Sequence, residues 1–142
     1  MDLLLICKDA SAASLVTNLL WGSAARKAGM EATVLFSAEA LAAFCSGAFL
    51  WPRELAHQEA RLAIADNSKG QNLPIAFRSE ARHLDVHGLL AEVQAEGLPM
   101  VADPIWTDLL GLRGKLPAGI AELDLADGLK LIGSAKAVVG SL

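Results

Sequence analysis

Three short stretches hold the side chains that could do chemistry. Cys7, Lys8 and Asp9 follow one apolar run, Ser37 follows a second, and Asp103 to Trp106 follow a third. A thiol beside an ammonium is the arrangement that favours thiolate, the species that attacks sulfur. Asp103 could act as an acid, a base or a ligand-holding carboxylate, and Trp106 could be the wall on which a ligand stacks. Lys8, Asp9 and Ser37 would add charge and hydrogen bonds. Each residue also has a plainer role. Cysteine is among the most buried residue types, so Cys7 reads first as the last core residue of a strand. Cys45, late in a helix of small apolar residues, reads as packing. Asp103 before Pro104 is the pattern of a helix N-cap with proline at the first helical position, and capping ranks ahead of catalysis, although the two roles can coexist. Trp106 suits a subunit interface better than a ligand wall, because aromatics are enriched there.

Other motifs are incomplete. His83 and His87 are four apart, a spacing that can put two imidazoles on one metal, but no HExxH and no acidic partner completes a set of three or four ligands. His57 is isolated. The stretch SKGQN at 68–72 lacks the GxxxxGK[ST] of a phosphate loop, no GxGxxG follows the first apolar run, and the two cysteines form no CxxC. No metal and no cofactor are expected.

The elements that must position these residues follow from hydrophobic patterning. Residues 2–7 are a continuous apolar run of the kind found in strands buried on both faces. Residues 11–28 read as a helix, with Asp9 or Ser11 as cap, a stripe of Ala12, Leu15, Val16, Leu19 and Ser23 flanked by Leu20, Ala24 and Ala28, and Gly29 as its stop. Residues 31–37 are a second strand, and strand, helix and strand make a parallel βαβ unit. A short helix is expected over 38–47, a helix from Pro52 through "PRELAHQEARLAIA", a loop over "DNSKGQNLP" and a helix over about 80–96 with Val86, Leu89, Leu90 and Val93 inward. "LPMVAD" is a third strand and "IWTDLLGL" a short helix. "GIAELDL", "ADGLKLIGSA" and "KAVVGSL" are expected to be strand, helix and strand. Strands alternating with helices imply an α/β domain spanning 1–142, with a mostly parallel open sheet of about five strands and helices on both faces. Residues 48–79 are expected to be a helical and loop insertion. The ends of the strands would then share one rim, the usual ligand site of open α/β sheets.

Composition narrows the function. Of the 142 residues 54% are apolar, and the mean hydropathy is +0.41. This exceeds the usual ~45–50% apolar and points to a membrane segment or a buried subunit interface. The longest weakly polar run, 40–51, is too short to span a bilayer, and Asp2 stands where a secretory leader needs a basic region. A cytoplasmic homo-oligomer is therefore expected. The net charge of −4, without a basic stripe, argues against nucleic acid as a partner.

Three stretches resemble the DsrE/DsrF-like family of sulfur-relay and peroxiredoxin-like proteins: "LLWGSAARKAGMEATVLFSAEAL" at 19–41, "LLAEVQAEGLPMVADPIWTDLLGL" at 89–112, and "GIAELDLADGLKLIGSAKAVVGS" at 119–141. The resemblance implies a DsrE/F-like α/β fold, assembly as a trimer or hexamer, and a sulfur-relay protein as partner. In relay members it also implies a cysteine just past the third strand that carries sulfur as persulfide. Asp108 and Gly111 match the pattern, but Asp103 stands in the cysteine's place, and a carboxylate cannot take up sulfane sulfur. The resulting expectation is a non-catalytic binding or assembly subunit linked to sulfur metabolism. The alternatives are a sulfur carrier or thiol enzyme using Cys7, and a binder of a small polar ligand at the rim through Lys8, Asp9, Ser37, Asp103 and Trp106.

Overall fold

The first apolar run forms β1, Leu3–Cys7, followed by α1, Ala12–Lys27, and β2, Ala32–Phe36. The structure is a computed structural model that describes residues 1–70 and 84–140. After β2 come α2, Ala38–Ser46, a single 3-10 turn at Arg53–Leu55, α3, Gln58–Gly70, and α4, Val86–Ala95. The chain then forms β3, Met100–Ala102, α5, Pro104–Leu109, β4, Ile120–Ala121, α6, Leu125–Ser134, and β5, Ala137–Gly140. The five strands make one sheet in the order β4-β3-β2-β1-β5. Every pairing is parallel, so the sheet is wholly rather than mostly parallel.

That order explains the layers. From β1 to β4 the chain steps in one direction across the sheet, and right-handed crossovers keep α1, α2 and α4 on one face. The return from β4 to β5 puts α6 on the other. Leu5, Cys7, Val34, Phe36, Met100 and Ala102 point to the first face and join α1, α2 and α4 in the main core. Leu4, Leu35 and Val101 point to the second, where Leu131 of α6 packs with Met1, Ile6 and Leu123.

Four expectations are corrected. The single helix expected from Pro52 is a 3-10 turn at Arg53–Leu55 and a separate helix, α3, that begins only at Gln58. The buried side of α1 includes Asn18, Gly22 and Ala25, whereas Ala24 and Ala28 are exposed. A Cβ on Gly22 would lie 2.9 Å from Leu98 Cδ1 and 3.3 Å from Val34 Cγ2, so its absence lets α1 settle on that side. Residues 66–70 are helical, not loop, because α3 runs on through them to Gly70, and extending a formed helix costs little. The remainder of that loop, 71–74, lies outside the described residues. The helix expected from about 80 begins at Val86, where the Asp85 carboxylate accepts from the Gly88 amide at 3.0 Å and caps it. Residues 80–83 are outside the described set.

No described helix is long and apolar enough to cross a membrane.

Candidate functional site

The rim is level because the strands are in register there. Cys7 pairs with Phe36, and Phe36 with Ala102. Backbone hydrogen bonds lace the residues just beyond. The Ser37 amide donates to Cys7 O at 3.0 Å, the Asp103 amide to Phe36 O at 2.8 Å, and the Ala40 amide to Lys8 O at 3.0 Å. The fold therefore gathers the stretches that follow β1, β2 and β3, as the strand pattern predicts.

The side chains are unequal partners. Ser37 Oγ donates to Asp103 Oδ2 at 2.7 Å. The other carboxylate oxygen, Oδ1, accepts from the Ile105 amide at 2.8 Å and the Trp106 amide at 3.4 Å. Asp103 is thus the N-cap of α5, with Pro104 in the first turn. Both its oxygens are engaged, and its geometry is that of a structural joint between β2 and α5. Trp106 is 37% exposed, and Lys8 is exposed at the same rim.

Cys7 is fully buried. Burial pushes its thiol up to about 12, the negative charge of Asp9 pushes the same way, and a backbone hydrogen bond from Asp9 opposes both. The expected help from Lys8 does not enter, because its ammonium lies on the exposed side of a strand end whose cysteine faces the core. In this arrangement the Cys7 sulfur is a packed thiol, not a presented nucleophile. Cys45 is half-buried, with Sγ 3.8 Å from Lys115 O, and burial raises its pKa too. Of the two histidines four apart, His87 sits in the first turn of α4, while His83 lies outside the described residues.

Two rim features escaped the sequence reading. Ala38 has φ +46, the left-handed region that alanine avoids, and is the one described non-glycine residue there. It makes the sharp bend from β2 into α2 immediately after Ser37. Thr107, fully buried, sends its hydroxyl to Asp103 O at 2.6 Å. A threonine inside an apolar helix carries a weak sequence signal, since such back-bonding shows only once the helix exists.

Among solved structures, the chain is similar to the YchN protein of E. coli, with a TM-score of 0.58 and 15% identity over 98% of this chain and 97% of that one. No protein-family model and no curated protein matches the sequence. At 15% identity the likeness concerns the fold alone: the chain shares the overall architecture of that protein.

Proposed function

We propose that this chain is a cytoplasmic, oligomeric DsrE/F-like subunit that binds or assembles with a partner in sulfur metabolism and carries no sulfur itself. The observation that supports it most is the state of Asp103. It occupies the position after β3 where the family resemblance implies a persulfide cysteine, and its carboxylate is committed to capping α5 and to Ser37. Neither thiol of the chain substitutes: Cys7 is sealed in the core, and Cys45 lies on α2 against the backbone of Lys115. Protonated thiols exchange sulfur slowly, since attack requires an accessible thiolate, and burial raises the pKa of both.

The test is intact-mass spectrometry of the native protein after exposure to a persulfide donor, with Cys7→Ser and Cys45→Ser alongside. Unchanged masses are expected. Sulfur uptake that disappears in Cys7→Ser would replace this reading with a carrier that uses Cys7.

A further inference from the structure

The stretch from Leu50 to Arg61 builds a cleft of its own. Leu50 is anchored to the start of α1: its amide donates to Ala10 O at 3.3 Å, and its carbonyl accepts from the Ala12 amide at 2.8 Å. Trp51 packs on the main core. Pro52 leads into the 3-10 turn at Arg53–Leu55, which closes on Ala56, and Arg61 comes early in α3. Leu50, Trp51, Ala56 and Arg61 line an open cleft of about 350 Å³. Ligand pockets run from about 300 Å³ upward, so the space suits one small molecule. Its walls are set in advance by backbone bonds and core packing, which lowers the cost of binding.

The walls differ in chemistry. Arg61 is half-buried, with its Nε withdrawn from water. That holds the guanidinium against the wall and strengthens its field. Among the described residues it is the one charged side chain that lines the cleft. A guanidinium presents its N–H donors in a rigid fork that matches a carboxylate. Trp51, also half-buried, offers an indole, and Leu50, 54% exposed, an aliphatic surface. Fork and indole together suit a molecule with a flat apolar body and one anionic end. We propose that this cleft binds a small aromatic carboxylate, with Arg61 on the carboxylate and Trp51 against the ring. One cation balances one carboxylate, whereas a phosphate ester, at about −1.5 to −2, would call for a second. The site shares no residue with the rim around Asp103 and stands apart from the sulfur reading.

Phenylacetate is the probe, and NMR of the isotope-labelled protein reads it out. The chain has three tryptophans, Trp21, Trp51 and Trp106, and Trp51→Phe assigns the relevant indole N–H signal. Phenylacetate should shift that signal saturably at millimolar concentration and leave the other two in place. Phenethyl alcohol, a ring without the charge, and acetate, a charge without the ring, should each bind far more weakly. Arg61→Gln, with unchanged circular dichroism, should weaken phenylacetate by about tenfold or more, the loss expected for a charge-assisted hydrogen bond. Arg61→Lys keeps the charge but loses the fork, serves should glutamine unfold the chain, and should weaken binding too. No shift of the Trp51 signal overturns the proposal. So does phenethyl alcohol binding as well as phenylacetate, or an affinity unchanged in the folded Arg61 variant. None of these results depends on sulfur uptake, so the two proposals can fail separately.

Discussion

Cys7 shows how a one-residue orientation decides chemistry. In the sequence it stands next to Lys8, and adjacency suggests an activated thiol. In a strand, however, neighbours point to opposite sides, and Leu5 and Cys7 share the core face. Burial then dominates and holds the thiol near 12. This has a consequence for stability. In the unfolded chain the thiol ionises near its ordinary value of 9.0, whereas in the folded chain it does so only around 12. The folded state is therefore fully favoured below pH 9 and loses stability as the pH rises toward 12. Chemical denaturation at a series of alkaline pH values should show the wild type falling more steeply than Cys7→Ala. Parallel slopes would mean that the thiol is solvated in the native protein.

Helix α5 depends on its cap more than a long helix would. It has six residues, Pro104–Leu109, and its first amides are held by Asp103. That cap was legible, because Asp-Pro before an apolar segment has a local cause. The bond from Ser37 was not, since it joins residues 66 apart in the chain. Asp103→Ala removes the cap and deprives the buried Ser37 hydroxyl of its acceptor, a combined cost of about 1–3 kcal/mol. Asp103→Asn keeps an acceptor for the amides and should cost less. Urea denaturation of both variants measures this, and equal losses would show that the cap contributes little. The misjudged elements fail for the opposite reason. Helix α1 carries apolar or small residues on nearly every side, so its own pattern selects no orientation, and the close approach of Gly22 to Val34 and Leu98 selects it instead. The start of α4 turns on a single side-chain bond from Asp85.

At the scale of the molecule, residues near the two ends of the chain are bound to each other. Lys136 Nζ lies 2.8 Å from Asp2 Oδ1, and the Lys136 and Ala137 amides donate to Met1 O and Asp2 O, both at 3.0 Å. The Lys136 side chain holds the Asp2 carboxyl below the usual aspartate range, and the Asp2 side chain holds the Lys136 ammonium above the usual lysine range. The carboxylate's contribution is therefore present above the ordinary aspartate range and lost as the pH falls through its depressed value. The ammonium's contribution is present below the ordinary lysine range and lost as the pH rises through its elevated value. Lys136 is exposed and Asp2 partly so, and the effect is small and screened by salt. Asp2→Asn should lower the melting temperature slightly, by an amount flat across neutral pH, smaller in high salt and absent in strong acid. A difference that persists in acid would assign the loss to the backbone pairing instead.

The sequence by itself determined the order of strands and helices, the parallel βαβ connections, the cap at Asp103 and the excess of apolar residues, because each arises from neighbours within a turn or a crossover. Only the tertiary structure decided which apolar residues are covered. Leu125, Leu129 and Ile132 of α6 and Ile105 and Leu109 of α5 stay exposed, as do Trp21, Leu50 and Val138 elsewhere on the surface. The tertiary structure likewise decided that Cys7 is core and that Asp103 is tied to Ser37, because burial and long-range hydrogen bonds depend on which segments meet, and local patterning does not encode that.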